Sequence, residues 1–130
     1  MKKLLTILLF LLPISGVLAQ KVECRRFHTG VYKLVDSGTA NIVIERTKSK
    51  QIETYGDFNN AKVEFKIEWI DDCKYVLSEP RTTDPQLQLA LENSKPITIT
   101  IVSSWETGYK YRFQIEGSSQ VLEYSATKIR

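Results

Sequence analysis

Apolar and charged residues alternate without interruption from Lys62 to Trp69. The alternation places Val63, Phe65, Ile67 and Trp69 on one side of an extended chain and Lys62, Glu64, Lys66 and Glu68 on the other. A period of two marks a strand with one buried face, because a helix would scatter these side chains around its circumference. The run meets Asp71-Asp72-Cys73 and resumes as Lys74-Tyr75-Val76-Leu77, which predicts a β-hairpin. For Trp69 to face Tyr75 and Ile67 to face Leu77, the connection must hold an odd number of residues or a bulge must absorb one, and Asp71-Asp72-Cys73 is expected to supply that odd loop.

The same reading predicts strands over Cys24–Val35, Asn41–Arg46, Gln51–Tyr55, Pro96–Ser103, Gly108–Glu116 and Val121–Lys128, separated by short polar turns such as Asp36-Ser37-Gly38 and Gly117-Ser118-Ser119. In the first of these, Phe27 and Tyr32 lie five apart, so they share a face only if Gly30 kinks or bulges the strand. The period changes at Thr83-Asp84-Pro85-Gln86, where Thr83 or Asp84 caps a short helix, Pro85 sits in its first turn and Gln86 completes a capping box. Leu87, Ala90 and Leu91 form its apolar stripe. A strand through Leu87, Leu89 and Leu91 competes, but it contains no β-branched residue. The predicted fold is all-β: an antiparallel meander of about eight strands with one short helix, closing into a small barrel or curled sheet. A two-sheet sandwich with longer crossovers is the alternative.

The amino-terminal residues change the compartment in which this sheet is read. Lys2 and Lys3 precede an apolar stretch from Leu4 to Leu12, and Val17-Leu18-Ala19 resembles a small-residue cleavage site, so residues 1–19 are expected to be an export signal and 20–130 a single domain. The apolar stretch falls short of the roughly 20 residues a membrane-spanning helix needs. Removing the signal leaves 111 of 130 residues, enough for one core. Taking Lys2 and Lys3 from 18 Lys and Arg leaves 16 basic against 15 acidic residues, a formal balance of +1 that does not suit a nucleic-acid binder. Cys24 and Cys73 both survive cleavage, and an oxidising compartment, periplasmic or extracellular, is expected to pair them.

Candidate chemistry is sparse. The residues expected to face inward are Phe27, Tyr32, Phe65, Ile67, Trp69, Tyr75, Ile99, Tyr111 and Phe113. Within that set Tyr32, Phe65, Trp69, Tyr75, Tyr111 and Phe113 are the candidate ligand contacts, unless side chains fill the interior completely. His28, the single histidine, has no nucleophile or second metal ligand at a useful spacing, so neither catalysis nor metal binding nor a cofactor is expected. Basic residues gather at Lys21, Arg25 and Arg26 and again at Arg46, Lys48 and Lys50, where they read as charged edges and hairpin tips. Asp71-Asp72 reads as a turn, having too few neighbouring carboxylates for calcium.

Taken in order, Cys24-x-x-Phe27-x-x-Gly30-x-Tyr32, Ile44-x-Arg46, Gln51-x-Glu53 and Trp69-x-Asp71-Asp72-Cys73-x-Tyr75-x-Leu77 resemble a group of small uncharacterised exported proteins of Bacteroidetes-type bacteria. Those proteins look like reduced lipocalins, and the resemblance implies an eight-stranded antiparallel barrel with one open mouth and no activity. Lipocalins proper usually place a tryptophan where this chain has Tyr32. Members of the group sometimes carry a transferred label of DNA topoisomerase IV; this sequence shows neither the metal-binding carboxylate cluster nor the basic groove that strand passage requires. The expectation is a non-catalytic exported protein that binds a small apolar or amphipathic ligand non-covalently. The alternative is a cell-envelope protein-interaction module without a small-molecule ligand, which clustered outer aromatics including Trp105 and Tyr124 would favour.

Overall fold

The computed structural model describes residues 22–35 and 41–130. The expected export signal at 1–19, Lys21 and the expected turn at Asp36-Ser37-Gly38 lie outside the described residues. Eight strands follow one another: β1 (Gly30–Leu34), β2 (Ile42–Arg46), β3 (Lys50–Tyr55), β4 (Ala61–Asp71), β5 (Lys74–Arg81), β6 (Ile97–Trp105), β7 (Gly108–Ile115) and β8 (Leu122–Lys128), with helix α1 (Pro85–Leu91) between β5 and β6. Each pairs antiparallel with the next, and β8 returns to β1 through Tyr32 opposite Lys128 and Leu34 opposite Ala126, so the sheet closes into a barrel. Closure excludes the sandwich, and it leaves no edge strand for another chain to pair with.

Alternation builds the interior. Val63, Phe65 and Ile67 of β4 are buried between exposed or half-exposed neighbours, and Tyr75 and Leu77 of β5 face them. The expected register holds, with Ile67 opposite Leu77 and Trp69 opposite Tyr75. The odd residue is absorbed by a bulge between Trp69 and Asp71 and not by the expected three-residue loop: Asp71 pairs with Lys74, and the turn needs only Asp72 and Cys73. Asp71 shapes it by accepting the Cys73 N–H at 2.8 Å. β5 runs on past Pro80 to Arg81, beyond the point where the sequence predicts a change of period, through a second register shift at which Glu79 takes φ 51°.

The helix forms where its cap predicts. The Asp84 side chain accepts from the N–H groups of Gln86 and Leu87, and Pro85 occupies the first turn. The Asp84 N–H donates to Thr82 Oγ1 at 3.3 Å and not to the expected Gln86 side chain, while Gln88 accepts the Thr82 N–H at 3.1 Å. Leu87 and Leu91 pack against the barrel core, while Leu89 points outward.

The first strand departs from expectation. Arg25–Phe27 form one turn of 3-10 helix, and β1 starts only at Gly30, whose φ of 124° turns the chain into the sheet. A side chain at Gly30 would meet the Arg130 carbonyl at 2.8 Å, so glycine is required there. The segment ahead of Gly30 lies across one end of the barrel as a plug. Phe27 is completely buried, its ring 5.0 Å from that of Tyr109 and 6.3 Å from that of Tyr32.

A disulfide between Cys24 and Cys73 staples the plug to the β4–β5 turn. Across 49 residues of sequence such a bridge stabilises the fold by about 4 kcal/mol in the chain-entropy account. The paired variant Cys24→Ala/Cys73→Ala is therefore expected to lose roughly 3–4 kcal/mol of unfolding free energy in urea titrations, a large share of the 5–15 kcal/mol usual for one domain. A loss below 1 kcal/mol would show that the plug holds without its staple.

Candidate functional site

The interior divides into a packed half and a hollow half. On the plug side, Arg46 continues the inward face of β2 after Ile44 and is only 3% exposed, with Gln51 of β3 directly opposite and 1% exposed. The Arg46 Nε donates to Gln51 Oε1 at 2.9 Å, one Nη to the Phe27 carbonyl at 2.6 Å, and the other to the hydroxyls of Tyr75 and Tyr109, both at 2.8 Å. Four of the five guanidinium N–H groups thus have acceptors. The Tyr32 and Tyr75 rings lie 4.9 Å from the guanidinium carbon, adding cation–π attraction. Arg46 was expected at a charged hairpin tip; the strand's phase turns it inward instead.

The network continues outward along β3. Gln51 donates its amide to one Glu53 carboxylate oxygen at 3.2 Å, and the Tyr55 hydroxyl donates to the other. Glu53 is half-buried. Burial pushes its carboxyl above the usual range, opposed by the bonds from Tyr55 and Gln51 and by the charge of Arg46. Burial likewise raises the phenols of Tyr75, Tyr111 and Tyr55, and brings Tyr32 up to about 12 despite the pull of Arg46.

Beyond this floor the barrel is hollow. A cavity of about 290 Å³ opens at the end opposite the plug, beneath α1. Its wall is mainly aliphatic and aromatic, from Leu34, Ile42, Ile44, Leu77, Ile97, Ile99 and Leu91 together with Phe65, Phe113 and Tyr124. Gln51, Glu53, Tyr55, Tyr75 and Tyr111 bring polar atoms to it, and Ser94 and Lys95 stand at the rim. Among the described residues the Tyr111 hydroxyl has no hydrogen-bond partner.

Of the six candidate contacts, Phe65, Tyr75, Tyr111 and Phe113 line the cavity, whereas Tyr32 and Trp69 lie at the plugged end. The Tyr32 hydroxyl donates to the Thr29 carbonyl at 2.5 Å. Trp69 stacks on His28 at 3.5 Å between ring centres, and its indole nitrogen is buried with no hydrogen-bond partner among the described residues. His28 Nε2 sits 2.7 Å from the Asp72 carbonyl, which ties it to the stapled turn. Sequence reading missed Arg46, Gln51 and Glu53 as interior groups. The signal was present in Ile42-x-Ile44-x-Arg46 and Gln51-x-Glu53-x-Tyr55, two period-2 faces that pair Arg46 with Gln51 and Ile44 with Glu53.

The other candidates have local partners. Arg25 pairs with Asp72 at 3.0 Å and Lys50 with Glu64 at 2.9 Å, exposed contacts of small energetic weight. No group of three or more His, Cys, Asp or Glu among the described residues is placed to hold a metal ion. No described helix is long and apolar enough to cross a membrane.

Fold and cavity together define a small lipocalin-like barrel, closed at one end and hollow at the other. No family model, no curated protein and no solved structure matches the chain.

Two outcomes follow from the buried network. Arg46→Ala leaves two hydroxyls, a carbonyl and an amide without their donor and Glu53 without its counter-charge, and is expected to destabilise by about 3–5 kcal/mol. Arg46→Lys recovers little of this, because one ammonium cannot reproduce the planar fork; urea titration of both variants measures it. The second concerns alkali. Tyr32 titrates near 10 when unfolded and near 12 when folded, so the folded state holds its proton more tightly. Its contribution is complete below about pH 10 and disappears as pH rises toward about 12, roughly 2–3 kcal/mol from this residue alone. Cooperative unfolding coincident with tyrosinate absorbance in that window is expected, and smooth non-cooperative ionisation would contradict it.

Proposed function

We propose that this chain is an exported, non-catalytic lipocalin-like protein that carries one small apolar or amphipathic molecule non-covalently inside its barrel. The observation behind this reading is the open cavity of about 290 Å³ with its mainly apolar wall. That volume stands at the lower edge of the ~300–1,000 Å³ common for small-molecule sites, which suits a compact ligand. The Cys24–Cys73 bridge supports a life in an oxidising compartment.

The interaction-module alternative draws less support. Trp105 is exposed at the β6–β7 turn on the plugged side, whereas Tyr124 is half-buried and lines the cavity at the other end, so the two form no common docking face.

Fluorescence titration with the neutral apolar probe N-phenyl-1-naphthylamine tests the reading. One probe per chain is expected to bind with enhanced emission. Ile97→Trp, which fills the cavity from β6, is expected to weaken binding at least about tenfold, equivalent to 1.4 kcal/mol, with the circular dichroism unchanged. Absence of probe binding, or equal binding by the filled variant, would refute an interior site.

A further inference from the structure

The polar side of the cavity carries information about the head group it admits. An arginine among tyrosines in a barrel interior would ordinarily suggest a seat for an anionic head, such as the carboxylate of a fatty acid. The geometry argues otherwise. Arg46 is not part of the cavity wall, and four of its five N–H groups are engaged by Gln51, Phe27, Tyr75 and Tyr109. On the cavity wall stands Glu53, joined to Arg46 through the Gln51 amide. The barrel has supplied its own carboxylate where a ligand's would lie.

Among the described residues lining the cavity, Glu53 is the one acidic residue and Lys95, exposed at the rim, the one basic residue. Each Glu53 oxygen accepts one bond from the protein, from Gln51 and from Tyr55, which leaves further lone pairs on both. The Tyr111 hydroxyl lies on the same wall without a partner among the described residues. A head group bearing N–H or O–H satisfies these acceptors, whereas a second carboxylate meets like charge in a poorly hydrated space.

We propose that the cavity selects amphipathic molecules whose head donates hydrogen bonds, an alcohol or a primary amine, and discriminates against carboxylates through Glu53. This rests on the carrier reading above and specifies its ligand class.

Competition against N-phenyl-1-naphthylamine with n-octanol, n-octylamine and n-octanoate provides the test, run on the oxidised full chain at about pH 8 and again at about pH 9, because burial lifts the Glu53 carboxyl above its usual range. Octanol or octylamine is expected to displace the probe at least about tenfold more tightly than octanoate. Glu53→Gln is expected to bring octanoate to within about threefold of octanol, each affinity being taken relative to the variant's own affinity for the neutral probe. Octanoate binding as tightly as octanol in the unmodified protein overturns the proposal, wherever its head lies, including at Lys95. An unchanged order of preference in folded Glu53→Gln overturns it as well. The unmodified ligand series stands by itself if that variant fails to fold. A chain that binds none of the compounds, the neutral probe included, removes the carrier reading and this selectivity with it, whereas probe binding without the expected order removes only the selectivity.

Discussion

A guanidinium survives in a protein interior only when nearly all of its N–H groups meet acceptors, and Arg46 meets that condition with groups from the plug, β3, β5 and β7. Four parts of the chain distant in sequence are thereby held to one point. Apolar side chains can slide past one another at little penalty, but a planar fork with directed bonds cannot, so the network pins the plug, the β2–β3 hairpin and the far wall in one arrangement. Its acceptors are neutral. The balancing negative charge sits one residue pair further along β3, at Glu53, reached through the Gln51 amide.

This relay is also what separates the two halves of the interior. Below it, Phe27, Tyr32 and Tyr109 pack ring against ring and leave no room for a ligand. Above it, inward side chains from β2, β5 and β6 are aliphatic and stand back from one another, and α1 rests across the rim through Leu91. An eight-stranded barrel has an interior of intermediate width, which side chains can fill or leave partly empty. Here Phe27, Tyr32 and Tyr109 fill the stapled end, and the space remains at the other, lined in part by Tyr55, Tyr75, Tyr111 and Tyr124.

Much of the architecture was legible because alternation reports directly which side of a strand faces inward. The β4–β5 register and the capped helix followed from residue types and spacing, whereas the three-residue loop expected at Asp71-Asp72-Cys73 is a two-residue turn after a bulge. Alternation does not report height along the barrel axis. Phe65 and Trp69 share a face of β4, but four residues of strand separate them by about 13 Å, enough to put one in the cavity and the other beneath the plug. Arg46 was misplaced for a different reason. Its charge suggested the surface, and its phase, two residues after Ile44, was the better guide once acceptors could gather around it. The plug was illegible as such, because Phe27 is buried by a 3-10 turn that carries no periodic signal.

Barrel closure makes the carboxyl-terminal strand a partner of both β7 and β1. The last residues are bonded to the first strand as well: the Ile129 N–H donates to the Val31 carbonyl at 2.8 Å, and the Val31 N–H to the Arg130 carbonyl at 2.8 Å. A chain lacking β8 would leave two ladders unmade and the ring open, so the native topology becomes attainable only once β8 is available. Such dependence on contacts between the first and last strands raises the contact order of the fold and makes ring closure a late step of folding.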